Sequence, residues 1–112
     1  MPGGAQLSVT DLRRATRQPV NLPVIGEHRR MGDVMLHIVN ISSNGFMAQG
    51  VTELGRGERV TVRLPQIGRI EAFIVWIKDD RTGFQFERII RPEDFLKMVK
   101  NLQPNARLRS KG

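Results

Sequence analysis

"GRIEAFIVWIKDDRTGFQFERI", residues 68–89, decides the fold class. Gly68 to Ile77 is the most apolar strand of the chain, rich in β-branched and aromatic side chains, with cover expected on both faces over much of its length. "KDDRTG" supplies turn residues and "FQFERI" returns as a second strand, so the stretch reads as a β-hairpin. A chain that commits its most apolar residues to a hairpin is building an antiparallel sheet.

The same period-two pattern continues upstream. Val20, Leu22 and Val24 alternate with polar residues or proline, and "GEHRRMGD", with a glycine at each end of its apolar-poor run, reads as a turn. In "DVMLHIVNI" Val34, Leu36 and Ile38 share one face while Met35, His37 and Val39 share the other. "SSNG" breaks this strand, "FMAQG" resumes, and "LGRGERVTVRLP" gives a glycine turn followed by Val60, Val62 and Leu64 in alternation. Downstream, at Arg91-Pro92, the period changes. Pro92 suits the first helical position, Glu93 and Asp94 suit the positive end of a helix dipole, and Phe95, Met98, Val99 and Leu102 form one stripe.

Six short strands and one helix predict a mainly all-β protein: a small six-stranded antiparallel β-barrel with a C-terminal α-helix, about residues 92–102, flanking or plugging one opening. Residues 1–11 are expected to be a flexible N-terminal arm, 12–103 the folded domain, and 104–112 a basic disordered tail.

The 112 residues suffice for one domain with one core. A formal charge of +7 favours anionic partners: nucleotides, nucleic acid or a membrane surface. The absence of cysteine excludes disulfide scaffolds, Cys-ligated zinc and thiol nucleophiles. "MPGGAQLSVT" has no basic segment followed by an apolar one, and no apolar run approaches the roughly 20 residues of a spanning helix. A cytoplasmic protein without membrane insertion is expected.

Nothing points to catalysis. His28, read in a turn, and His37, read in a strand, have no partner at a metal-ligand spacing, and Asp79 and Asp80 occupy a turn that favours Asp for local backbone bonding. No nucleophile elbow, P-loop or HExxH helix occurs. The expectation is a non-enzyme without metal or cofactor.

Two stretches are suited to binding. "RRATR" sets Arg13, Arg14 and Arg17 within five positions, just before the first strand. "NISSNGF" follows another strand with Asn40, Ser42 and Ser43, short side chains that donate and accept, and with Gly45, which permits a positive φ and lets the backbone approach a ligand closely. Taken alone, the second is also an ordinary turn composition.

Together the stretches have the forms RxxxR, through Arg13 and Arg17, and [D/N]xSxxG, through Asn40, Ser42 and Gly45. This pairing and order resembles the PilZ domain, whose members bind cyclic di-GMP. "VTELGRGERVTVRLP" is similar to that family's central glycine turn and strand, and "FIVWIKDDRTGFQF" to its last hairpin; the likeness spans roughly residues 12–100. The fold it implies, a six-stranded barrel with a C-terminal helix, agrees with the alternation.

The resemblance implies a stand-alone cyclic di-GMP receptor. Arg13 and Arg17 would grip phosphates or guanines as the arm folds over, with Arg14 reaching a second phosphate or a stacked second ligand. Asn40 and Ser42, with Ser43 beside them, would hold the other guanine or its phosphate, and Gly45 would set the turn. Asn40 stands where many members have Asp, which removes the charge best suited to accept from guanine N1–H and N2–H₂. Trp76 is either a stacking wall of the site or barrel core. Ordering of residues 8–18 would carry the signal to an unidentified protein partner, in a family commonly tied to motility, flagellar function or surface behaviour. The alternatives are a small basic barrel that binds nucleic acid, disfavoured because all five phenylalanines can be placed in the core, and a PilZ-like scaffold that binds protein and no nucleotide.

Overall fold

The computed structural model describes residues 17–51 and 53–102. Six strands, β1 (Gln18–His28), β2 (Gly32–Ile41), β3 (Gly45–Gln49), β4 (Arg59–Leu64), β5 (Gly68–Lys78) and β6 (Arg81–Phe86), are followed by a helix, α1 (Pro92–Leu102). All strand pairings are antiparallel and the sheet closes in the order β1-β2-β3-β6-β5-β4. The mainly β barrel with one C-terminal helix is the architecture that the alternation predicts.

Each strand buries the face its alternation selects. Val24, Val34, Leu36, Ile38, Val60, Val62, Leu64, Ile70, Ala72 and Ile74 meet inside the barrel. Phe46 stacks on Phe84 with ring centroids 4.6 Å apart. The helix adds Phe95, Met98 and Val99 to the same core, with Leu102 packed at its margin. Its lead-in is fastened to the β2–β3 turn, where the Ile90 N–H donates to the Ser43 carbonyl at 2.9 Å.

Several sequence expectations are corrected. The "GEHRRMGD" turn shrinks to Arg29–Met31, because Gly26, Glu27 and His28 remain in β1. Gly26 is there for packing: a Cβ would lie 2.9 Å from Leu36 Cδ1 and 3.2 Å from Val60 Cβ. His28 is buried and ends the strand by accepting from the N–H groups of Arg30 and Met31 at Nδ1. With Nδ1 an acceptor, Nε2 carries the proton and donates to Glu58 Oε1 at 2.6 Å. The Gly55 N–H on the Glu58 carboxylate, followed by His28, holds that carboxyl below the usual glutamate range. On β5 only the inward face is fully buried, since Glu71, Phe73 and Val75 are half-exposed. Phe73 therefore leaves the predicted core set and lies under the Arg59 guanidinium.

Closure between β1 and β4 is slight. Only Gly26↔Val62 and Glu27↔Thr61 pair, and beyond them the strands diverge around a groove of about 850 Å³ lined by Leu22, Val24, Leu64 and Pro65.

Candidate functional site

Counting in twos from Leu36 and Ile38 puts Asn40 inside the barrel, and counting from Ala72 and Ile74 puts Trp76 inside as well. Neither is there. The ladder slips around Val39, between Ile38↔Ala48 and Asn40↔Met47, and again around Val75, between Ile74↔Phe84 and Trp76↔Gly83. A one-residue slip reverses every side chain that follows it, so the two bulges turn Asn40 and Trp76 outward. In register, Pro19, Asn40, Met47, Gly83 and Trp76 then form one row across β1, β2, β3, β6 and β5. Asn40 to Trp76 is three strand steps, roughly 15 Å.

The row is shallow at Gly83, over which the indole lies. A Cβ on Gly83 would meet Trp76 Nε1 at 2.2 Å. Trp76 is half-exposed on the outer face, and it shares a small cavity of about 140 Å³ with Arg17, Ser42, Gly45 and Gln85. Of its two sequence readings, core is excluded. Arg17 is exposed at the entrance to β1; Arg13 and Arg14 lie outside the described residues.

At the other end of the row, Asn40 Nδ2 touches only the Met47 sulfur, at 3.9 Å, and its buried Oδ1 has no hydrogen-bond partner among the described residues. A buried amide oxygen left unpaired costs about 1–3 kcal/mol, a cost that turning the amide towards an incoming donor would relieve.

Ser42 and Ser43 are both buried. Ser42 Oγ accepts from the N–H groups of Asn44 at 3.1 Å and Gly45 at 3.3 Å, and its own N–H donates to the Gly45 carbonyl at 2.8 Å. The Asn44 and Ser43 carbonyls receive Phe86 N–H and Ile90 N–H, so the turn is tied to β6 and to the start of the helix segment. Gly45 serves a different purpose from the one its composition suggests. Its φ is not positive; a Cβ would lie 2.0 Å from the Phe84 carbonyl oxygen, so glycine is required for β3 to approach β6.

One row further along the outer face stand Pro23, His37, Gln49, Arg81 and Lys78. Sequence reasoning assigned Arg81 to a turn and passed over Met47. The placement of Arg81 follows from its register with Gln49 and Lys78.

A model of the PilZ domain matches residues 11–102. The chain belongs to the PilZ domain family. Among solved structures it is similar to one described as the PilZ domain with c-di-GMP of YcgR from Escherichia coli, with a TM-score of 0.64 at 20% identity, covering 88% of this chain and 97% of that one. No match is found among curated proteins. At that identity the structural likeness speaks to the fold. Within this PilZ domain, the RxxxR and [D/N]xSxxG residues that are described, Arg17 and Asn40, Ser42 and Gly45, lie at one end of the barrel with Trp76. Among the described residues no group of His, Asp and Glu is placed to hold a metal, and no helix is long and apolar enough to cross a membrane.

Proposed function

We propose that this PilZ domain is a receptor for cyclic di-GMP, binding it on the outer face of β2, β3, β6 and β5. The observation that carries the reading is the row from Asn40 to Trp76, which has an unpaired buried acceptor at one end and an aromatic wall at the other. Asn40 Oδ1 accepts a guanine N–H, and Trp76 offers a face for stacking, a contact of about 1–3 kcal/mol. Arg17 and, by the RxxxR spacing, Arg13 supply forks for phosphate or guanine O6/N7, with Arg14 as a further cation. Ser42 and Ser43 hold the turn that presents Asn40, through the hydroxyl and carbonyl bonds already described. The similar Escherichia coli domain is described with c-di-GMP, which supports the same ligand here.

The domain acts by binding rather than by catalysis. Occupancy draws the arginine-bearing residues 8–18 over the ligand, and the altered surface is read by a protein partner in control of motility or surface behaviour. Isothermal titration of the full chain with cyclic di-GMP, against GTP and cyclic di-AMP, tests the receptor reading. Selective binding in the micromolar range or tighter, lost in Arg17→Ala with an unchanged apo melting temperature, is the expected result. No heat up to about a millimolar overturns it.

A further inference from the structure

The Met47 sulfur lies between two polar groups that it satisfies poorly. Arg81 Nη1 approaches it at 3.6 Å from β6, and Asn40 Nδ2 at 3.9 Å from β2. A thioether is a weak acceptor, so the cation gives up little when it leaves. Among the described residues Arg81 pairs with no carboxylate. The neighbouring Asp80 carboxylate instead accepts from Gln49 Nε2 at 3.2 Å. An exposed guanidinium and a buried, unpaired amide oxygen thus flank one soft floor on the outer face.

We propose that Arg81 and Asn40 read a single guanine together, which makes Arg81 a specificity-determining residue on the barrel itself, apart from the arginines of the N-terminal segment. This rests on the receptor reading above. Guanine presents acceptors at O6 and N7 and donors at N1 and N2, so it needs both a fork of N–H donors and an acceptor. Arg81 supplies the first and Asn40 Oδ1 the second. A phosphate would suit the same place less well, because Asn40 Oδ1 has nothing to offer an anion and Asp80 offsets part of the positive charge of Arg81 and Lys78. The pairing also explains how Asn can stand at position 40: the discrimination that a carboxylate would supply through charge is shared with Arg81.

The test is titration of the wild-type chain, Arg81→Ala and Arg81→Lys with cyclic di-GMP and with its 7-deaza analogue, in which each N7 is replaced by C–H. Arg81→Ala should weaken cyclic di-GMP about 5- to 150-fold, the span of one bidentate guanine contact, with an unchanged melting temperature for so exposed a side chain. Arg81→Lys should not recover the loss, since an ammonium cannot form the fork. The wild type should discriminate against the analogue more strongly than Arg81→Ala does. Wild-type affinity in Arg81→Ala, full recovery in Arg81→Lys, or equal discrimination by both proteins would each overturn the assignment while leaving the receptor reading intact. A wild type that binds no cyclic di-GMP overturns both.

Discussion

Gly83→Ala tests the geometry on which the site depends. The new Cβ would lie 2.2 Å from Trp76 Nε1, 2.3 Å from Cε2 and 2.8 Å from Cζ2, all inside contact distance. Backbone on β6 cannot yield, because Gly83 is paired on both sides, with Met47 and with Trp76. The indole must therefore retreat by about 1 Å or more to reach ordinary carbon–carbon separation. Overpacking in a closed core costs about 1–3 kcal/mol. Here the ring lies on the outer face and can swing into solvent, so the cost should fall near 1 kcal/mol, a drop of about 4–8 °C in melting temperature for a domain of this size. The chain has one tryptophan and no tyrosine, so its emission reports this ring alone. Emission should shift to the red in Gly83→Ala, and cyclic di-GMP affinity should fall with the displaced wall. A variant with unchanged emission and unchanged melting temperature would refute the packing of Trp76 on Gly83, and with it the outward turn at Val75.

Leu36→Ala, at a side chain 1% exposed in the barrel centre, should cost about 2–5 kcal/mol in urea unfolding without a specific effect on ligand affinity once the folded fraction is accounted for. Glu58 gives a pH prediction: its carboxyl is held below the usual range in the fold, so its contribution is present above the ordinary glutamate value of about 4.3 and is lost as pH falls through the lowered one. The stability gap between wild type and Glu58→Gln should therefore be full at pH 7 and narrow as pH falls below about 4.3, and a gap that widens on acidification would contradict the assignment.

Much of the fold was legible because burial on one face leaves a period-two trace, as in Val34, Leu36 and Ile38, and because Pro92 with Glu93 and Asp94 announces a helix. The two outward turns left no trace. Val39 and Val75 are ordinary strand residues, and nothing in their chemistry marks a bulge; strict alternation sends Asn40 and Trp76 inside, so Trp76 had two readings until the register was known. Gly45 was identifiable as important and misread in cause, since a collision with the Phe84 carbonyl depends on a strand far away in sequence. Arg81 was hidden by the turn-like composition of its neighbours. Motif residues are visible because their spacing along the chain is short. Their companions on adjacent strands become visible only when register is fixed.

The barrel's slight closure between β1 and β4 has a kinetic corollary. Only Gly26↔Val62 and Glu27↔Thr61 hold that edge, whereas the rows that carry Asn40, Met47, Gly83 and Trp76 run through the five-strand remainder without crossing it. Local opening at this seam would expose to solvent exchange whichever of the Thr61 and Val62 amides faces β1, the other staying bonded to β5, while the recognition surface kept its shape. The molecule can breathe on one side and stay ready on the other.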